Sequence, residues 1–69
     1  MIITIQNGRI LQDGKVVGSA MRDFKYGYHP AVLVRIGKVQ EWFELDESNL
    51  VHKILEYTKA VLKGDHDGL

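Results

Sequence analysis

"VLVRIGKVQEWF", residues 32–43, consists of two apolar runs separated by the pair Gly37-Lys38. Glycine in the first central position favours a type II′ turn, which joins two antiparallel strands through a loop of two residues. Such a short loop fixes the register of the hairpin. One face then carries the pairs Ile36–Val39, Val34–Glu41 and Val32–Phe43, and the other carries Arg35–Gln40, Leu33–Trp42 and Ala31–Glu44. The first face is the more apolar one, and we expect it to form the core.

Two further turn pairs, Asn7-Gly8 and Asp13-Gly14, lie between apolar runs earlier in the chain. Both suit type I′ turns, in which the two central residues have positive φ. The three turns together predict strands at about residues 2–6, 9–12, 15–24, 31–36 and 39–45. The segment "KYGYHP" is predicted to form a longer connection, with Pro30 opening the fourth strand because proline restricts the residue before it to extended backbone.

The last third of the chain changes from a strand period to a helix period. Apolar and small residues recur at intervals of three and four in the set Leu50, Val51, Ile54, Leu55, Thr58, Val61 and Leu62. This stripe predicts an amphipathic helix over residues 47–63. Asp46 is the predicted N-cap, Leu45 and Leu50 fit a hydrophobic staple, and Gly64 is the predicted terminating residue. Residues 64–69 are expected to form a flexible tail.

These elements predict an α+β fold: an antiparallel β-meander of four to five strands with one C-terminal amphipathic helix packed on one face. With 69 residues the chain is expected to form a single domain. In the order of its elements alone, strands followed by a C-terminal helix, it resembles the Whirly-like single-stranded-DNA-binding coactivators. No residue motif of that family is found in the chain, and a shared topology does not transfer function.

Composition narrows the classes of function. The chain has no cysteine, which excludes disulfides and thiolate metal sites. Its formal net charge is zero, which argues against a general polyanion binder. This zero is the sum of two opposite charges. Residues 1–40 have a charge of +4, from six Lys and Arg and two Asp, and residues 41–69 have a charge of −4, from three Lys and seven Asp and Glu. We expect the two halves to attract each other, within the fold or between two copies.

Neither a secretory signal nor an apolar run long enough to span a membrane is visible, so we expect a cytoplasmic protein without membrane contact. No catalytic pattern stands out: the two serines are outside any nucleophile-elbow motif, and the acidic residues around His66 lack a framing loop. We therefore expect no enzymatic activity, no cofactor and no metal.

The sheet face away from the helix is where we expect binding. Unbroken alternation through the first three strands places Ile3, Ile5, Ile10, Val17 and Met21 on the core face. It places Ala20, Arg22 and Phe24 on the other face, together with Leu33, Arg35 and Trp42. Lys25, Tyr26 and Tyr28 follow in the connection at its margin. The candidate binding residues are Arg22, Phe24, Lys25, Tyr26, Tyr28, Leu33, Arg35 and Trp42.

Three kinds of partner suit such a surface. A small chain with a marginal core and an apolar second face is expected to bind a second copy of itself. A different protein is the next hypothesis, because Trp, Tyr and Arg dominate interface hot spots. Single-stranded DNA or RNA is the alternative, since aromatic rings stack on bases and Arg binds phosphates. The leading hypothesis is a small non-catalytic interaction module, homodimeric and of the kind found among phage- and plasmid-type accessory proteins.

Overall fold

A computed structural model describes residues 1–64 of the chain. It contains five strands and one helix: β1 (Ile3–Gln6), β2 (Arg9–Gln12), β3 (Lys15–Lys25), β4 (His29–Ile36), β5 (Val39–Glu44) and α1 (Leu50–Lys63). The strands form one antiparallel sheet in the order β1-β2-β3-β4-β5, so every strand pairs with its neighbour in sequence. The predicted α+β meander with one C-terminal helix is confirmed.

The two-residue turns have the backbone that their sequences favour. Asn7 and Gly8 have φ values of 51° and 78°, and Asp13 and Gly14 have 51° and 87°, as a type I′ turn requires. Gly37 has a φ of 60° at the first turn position between β4 and β5. The predicted pairs across this turn, from Ile36 with Val39 to Ala31 with Glu44, are all present.

The core lies between one face of the sheet and α1, which packs mainly on β1, β4 and β5. Its buried members are Ile10, Val32, Val34, Ile36 and Ile54. Three of these five side chains, Val32, Val34 and Ile36, come from β4. The hairpin of residues 32–43 therefore supplies most of the buried core.

A β-bulge in β3 overturns part of the predicted face assignment. Leu11 pairs with Val16 but Ile10 pairs with Gly18, so Val17 is an extra residue in β3. Val17 still packs on the core, but every later residue of β3 is turned to the face opposite to the predicted one.

Two consequences follow from the bulge. Ala20, Arg22 and Phe24 lie on the helix side of the sheet, directly opposite Val34, Val32 and Pro30. Met21, which was predicted to face the core, lies on the other side, opposite Leu33. The prediction was wrong for these four residues because it assumed a continuous two-residue alternation.

The start of α1 also differs from the prediction. The helix begins at Leu50, and Asn49 rather than Asp46 precedes it, with a left-handed φ of 55° and no side-chain capping bond. Residues after β5 instead form a turn in which the Glu47 N–H donates to the Glu44 carbonyl at 3.3 Å. The predicted N-cap at Asp46, and the staple that depends on it, are therefore wrong.

The buried side of α1 is rotated slightly from the predicted stripe. Ile54 and Thr58 are buried, and Tyr57, which the stripe omitted, packs on the core. Val51, which the stripe included, is 61% exposed. The Thr58 hydroxyl is satisfied because it donates to the Ile54 carbonyl at 2.8 Å.

The end of the helix is as predicted. Gly64 has a φ of 81°, and its N–H donates to the carbonyls of Ala60 and Val61. The rest of the predicted flexible tail, residues 65–69, lies outside the described residues. Within the described part of the chain, no helix is long and apolar enough to cross a bilayer.

Candidate binding face of the sheet

The face of the sheet opposite α1, here called the outer face, has no secondary-structure element packed on it among the described residues. Its central side chains form three rows that run across the strands. The apolar row is Met21, Leu33 and Trp42; the acidic row is Asp23, Ala31 and Glu44; the basic row is Arg9, Ser19, Arg35 and Gln40. The apolar row lies between the two charged rows.

The apolar row is unevenly buried. Leu33 is only 7% exposed although no helix covers it, because it lies on the interior strand β4 between Met21 and Trp42. Met21 is 55% exposed and Trp42 is half-buried. A concavity of about 170 Å³ opens over this part of the sheet, and its lining is Ser19, Met21, Arg22, Asp23, Leu33 and Arg35. This apolar surface makes the outer face the candidate interaction site.

The two carboxylates of the acidic row each have one oxygen in use. Asp23 Oδ1 accepts a 2.7 Å hydrogen bond from the Phe24 N–H. Glu44 Oε1 is 2.8 Å from His29 Nε2. Each carboxylate has a second oxygen with which it can accept a further bond. The row therefore remains able to receive a cation from above the sheet.

At two edges of the sheet, the open part of β3 and the strand β5, a side-chain carboxylate accepts a hydrogen bond from a backbone N–H that would otherwise be free to pair with another strand. Beyond Ala20, whose N–H donates to the Gly8 carbonyl at 2.9 Å, β3 has no β2 neighbour. There Asp23 accepts from the Phe24 N–H, as described above. On the edge strand β5, Glu41 Oε2 accepts from the Trp42 N–H at 3.2 Å. Occupied donors and charged residues at an edge oppose the addition of another strand.

The β3–β4 turn is shorter than predicted and carries exposed aromatic rings. Lys25 pairs with His29, so only Tyr26, Gly27 and Tyr28 form the turn, and β4 begins before Pro30. Tyr26 is 76% and Tyr28 is 74% exposed, with ring centroids 6.2 Å apart. The Lys25 ammonium lies 5.3 Å from the centroid of the Tyr26 ring. The turn residues Tyr26, Gly27 and Tyr28, between β3 and β4, are here called the hairpin tip.

Backbone strain adds to the unusual character of this tip. Four residues other than glycine have positive φ in the described chain: Asn7, Asp13, Asn49 and Tyr26. Asn and Asp tolerate this conformation, whereas a bulky aromatic residue rarely adopts it. Tyr26 is therefore held in a strained conformation, of the kind that clusters at functional sites.

The structure divides the predicted candidate residues into three groups. Leu33, Arg35 and Trp42 lie together on the outer face. Tyr26 and Tyr28 form the hairpin tip, with Lys25 at its base. By register Arg22 and Phe24 lie on the opposite side of the sheet, where Phe24 is 60% exposed, although Arg22 also borders the concavity of the outer face. The single Arg and aromatic surface expected from the sequence does not form.

Met21, Asp23, Ala31 and Glu44 belong to the outer face but are not among the predicted candidates. The signal that could have found the first two is Gly18, since an isolated glycine within a strand pattern suggests a bulge. The hairpin register predicts the correct face for Ala31 and Glu44. A small residue paired with an acidic one is not a sequence pattern that indicates a binding site.

Groups with the potential for acid–base or metal chemistry are sparse in residues 1–64. No cluster of three or more His, Asp or Glu side chains suited to a metal lies in this part of the chain. Burial, reinforced by the negative charge of Glu41, raises the pKa of Tyr57, whose ring packs edge-on against Phe43 with centroids 5.8 Å apart. Tyr57 is one of the partly buried side chains that pack on the core. No family model, curated protein or solved structure matches the chain.

Proposed function

We propose that this protein is a small non-catalytic interaction module that acts by protein binding, with a second copy of itself as its partner on the outer face. The observation that carries the proposal is the apolar row. Met21, Leu33 and Trp42 form a continuous apolar band on a sheet face that no element of the described chain covers. A small domain with a single helix gains stability when such a face is covered by a partner.

Two open edges of the sheet, β5 and the part of β3 beyond Ala20, are poorly suited to the addition of a strand, which favours contact through the face. Edge-to-edge pairing uses free backbone donors, and Asp23 and Glu41 already occupy the N–H groups of Phe24 and Trp42. Face-to-face packing needs no free donor, because it buries side chains between two sheets about 10 Å apart. The same face can also bind a different protein, which is the next hypothesis for the partner.

Sedimentation equilibrium across a wide concentration range tests the proposal directly. We expect a mass that rises from monomer to dimer, and a melting temperature that increases with protein concentration, because dimer formation stabilises only the folded chain. Met21→Glu places a charge in the apolar row and should abolish both effects. Phe24→Glu is the matched control, since Phe24 is similarly exposed on the same strand but lies on the opposite side. A monomer at every concentration contradicts the proposal.

Single-stranded nucleic acid is the second candidate, and the hairpin tip is the observation that favours it. Two exposed tyrosine rings, with Lys25 beside them and Arg22 and Phe24 further along β3, combine stacking surfaces with cations. Tyrosine fluorescence titrations with single-stranded DNA, single-stranded RNA and duplex would test it. Binding that is lost in Tyr26→Ala and falls steeply with salt supports this candidate. Equal and negligible binding of all three polymers excludes it.

A further inference from the structure

We infer that the second copy docks on the outer face about a two-fold axis that runs along the apolar row. This inference rests on the proposed function and specifies how the partner is seated. It follows from the order of the rows, because the acidic row lies on one side of the apolar row and the basic row lies on the other. A rotation about the apolar row places the acidic row of each copy over the basic row of its partner.

The other simple axis gives an unfavourable arrangement. An axis parallel to the strands would place acidic row over acidic row and basic row over basic row. Like charges in contact across an interface are unfavourable, whereas opposite charges fix the register of docking. Two-fold docking is isologous, so each favourable contact is made twice. Charge complementarity therefore selects the axis along the apolar row.

The rows also fit in detail. The axis passes through the apolar row, so Met21, Leu33 and Trp42 each meet the same residue of the partner. On β4, Arg35 of one copy then lies over Ala31 of the other, because these residues are equally distant from Leu33. Ala31 is small and fully buried, and Asp23 and Glu44 flank it in the acidic row. Because neighbouring side chains cover Ala31, the Arg35 side chain of the partner lies over this part of the acidic row and meets its two carboxylates.

The part of the outer face that meets the partner consists of β3, β4 and β5. β2 pairs with β3 only from Lys15 to Ser19, on the basic side of the apolar row, so the rotation places β1 and β2 of each copy beside the partner's sheet rather than over it. The contact is therefore made by the three rows around Leu33, and the order of these rows is what favours a second copy.

Charge reversal tests the seating of the partner. Arg35→Glu should raise the dimer Kd at least about tenfold, because the introduced carboxylate would face the two carboxylates of the acidic row. Asp23→Lys with Glu44→Lys should weaken the dimer similarly, because Arg35 would face two lysines. An equimolar mixture of these two variants should form a heterodimer with a Kd within about threefold of wild type. In this heterodimer, the introduced carboxylate at position 35 of one chain faces the two introduced lysines of the other. The second contact is the natural one, between Arg35 and the unaltered Asp23 and Glu44.

Lys38→Glu is the matched control for Arg35→Glu, since it makes the same change of charge in an exposed turn. It should leave the dimer Kd unchanged. All variants alter exposed side chains, and melting at low concentration verifies that each folds. A wild-type dimer that Met21→Glu abolishes but that neither charge reversal weakens overturns the seating and leaves the proposed function intact. A mixture that does not associate overturns it as well.

Cross-linking provides a second readout that does not depend on charge. The natural chain has no cysteine, so a single thiol can be introduced without background. Met21→Cys places a thiol on the axis, where it meets its own copy, and a short bismaleimide should link two chains rapidly. Phe24→Cys, on the same strand but the opposite side of the sheet, should link slowly. Equal rates of cross-linking for the two variants contradict the inferred axis.

Discussion

The two faces of the sheet are apolar at neighbouring positions of the same strand but are buried by different means. Val34 is fully buried on the inner face, where it belongs to the core cluster with Ile54 of α1. Leu33 is 7% exposed on the outer face, where its neighbours are the side chains of Met21 and Trp42. Met21 itself is 55% exposed. On the inner face, α1 of the same chain covers the apolar side chains. On the outer face, the side chains beside Leu33 are themselves partly exposed to solvent.

The apolar surface of the inner face therefore stabilises the monomer, whereas the exposed apolar surface of the outer face is available to a partner. Burial of apolar surface contributes roughly 25 cal/mol per Å², so the inner face contributes to folding at any protein concentration. The surface of Met21 and Trp42 that stays in water can contribute only when another molecule covers it. Substitutions on the two faces should therefore differ in their dependence on concentration.

The largest effect is expected on the inner face. Ile54 is 4% exposed and packs in the core, so Ile54→Ala should lower the free energy of unfolding by about 2–5 kcal/mol. Denaturant titration at two protein concentrations measures the loss, which should be similar at both. Val51→Ala on the same helix is the control, because Val51 is 61% exposed and its truncation should cost no more than about 0.5 kcal/mol. Equal losses would mean that α1 is rotated differently.

The next effect concerns the bulge that sets which side chains each face receives. A Cβ added at Gly18 would lie 2.2 Å from the Arg35 carbonyl oxygen, which is backbone and cannot move aside. Gly18→Ala should therefore destabilise the fold by about 1–3 kcal/mol, the usual cost of overpacking. Thermal unfolding with circular dichroism measures it. Ser19→Ala is the control, since it adds no atoms one residue further along β3, and a stable Gly18→Ala variant would contradict the close approach.

How far the sequence predicts this molecule depends on that same bulge. The turn pairs Asn7-Gly8, Asp13-Gly14 and Gly37-Lys38 suffice to predict the pairs β1–β2, β2–β3 and β4–β5, because two-residue loops constrain the backbone locally. The β3–β4 pair closes through a three-residue turn where the sequence predicts a longer connection. The extra residue Val17 is not a local turn feature. It depends on the close approach of Gly18 to the next strand, which only the assembled sheet contains.

The candidate site is predictable to a similar extent. The sequence places Leu33, Arg35 and Trp42 correctly because they lie within one tightly turned hairpin. It places Arg22 and Phe24 on the wrong face because they follow the bulge, and a shift of one residue reverses every later side chain. The aromatic residues of the tip are visible in the sequence, but the left-handed backbone of Tyr26 has no signature in composition.

On the outer face, Trp42→Ala should weaken self-association by about 2 kcal/mol, as expected for a hot-spot residue. The monomer should be affected less, because Trp42 is only half-buried before association. Sedimentation gives the change in Kd, and melting at low concentration gives the effect on the monomer. Phe24→Ala removes an aromatic ring from the opposite side and should leave the Kd unchanged. If the two truncations act alike, the outer face is not the contact surface.

The smallest effect expected is a pH dependence that belongs to the inner face alone. Tyr57 packs on the core, and burial together with the charge of Glu41 raises the pKa of its phenol above the ordinary value of 10.0. In the unfolded chain the phenol loses its proton at lower pH, so the folded state binds more protons above about pH 10. The stabilising contribution is complete below about pH 10 and declines as the pH rises through the folded value.

Tyr57→Phe should remove this part of the decline, and Glu41→Gln should reduce it, because the carboxylate opposes formation of the tyrosinate. Denaturant titrations between neutral pH and pH values above about 10 measure the difference between each variant and the wild type. Trp42→Phe on the outer face is the control, and its pH dependence should be that of the wild type. A Tyr57→Phe curve that is parallel to the wild-type curve throughout this range would place the phenol in water rather than against the core.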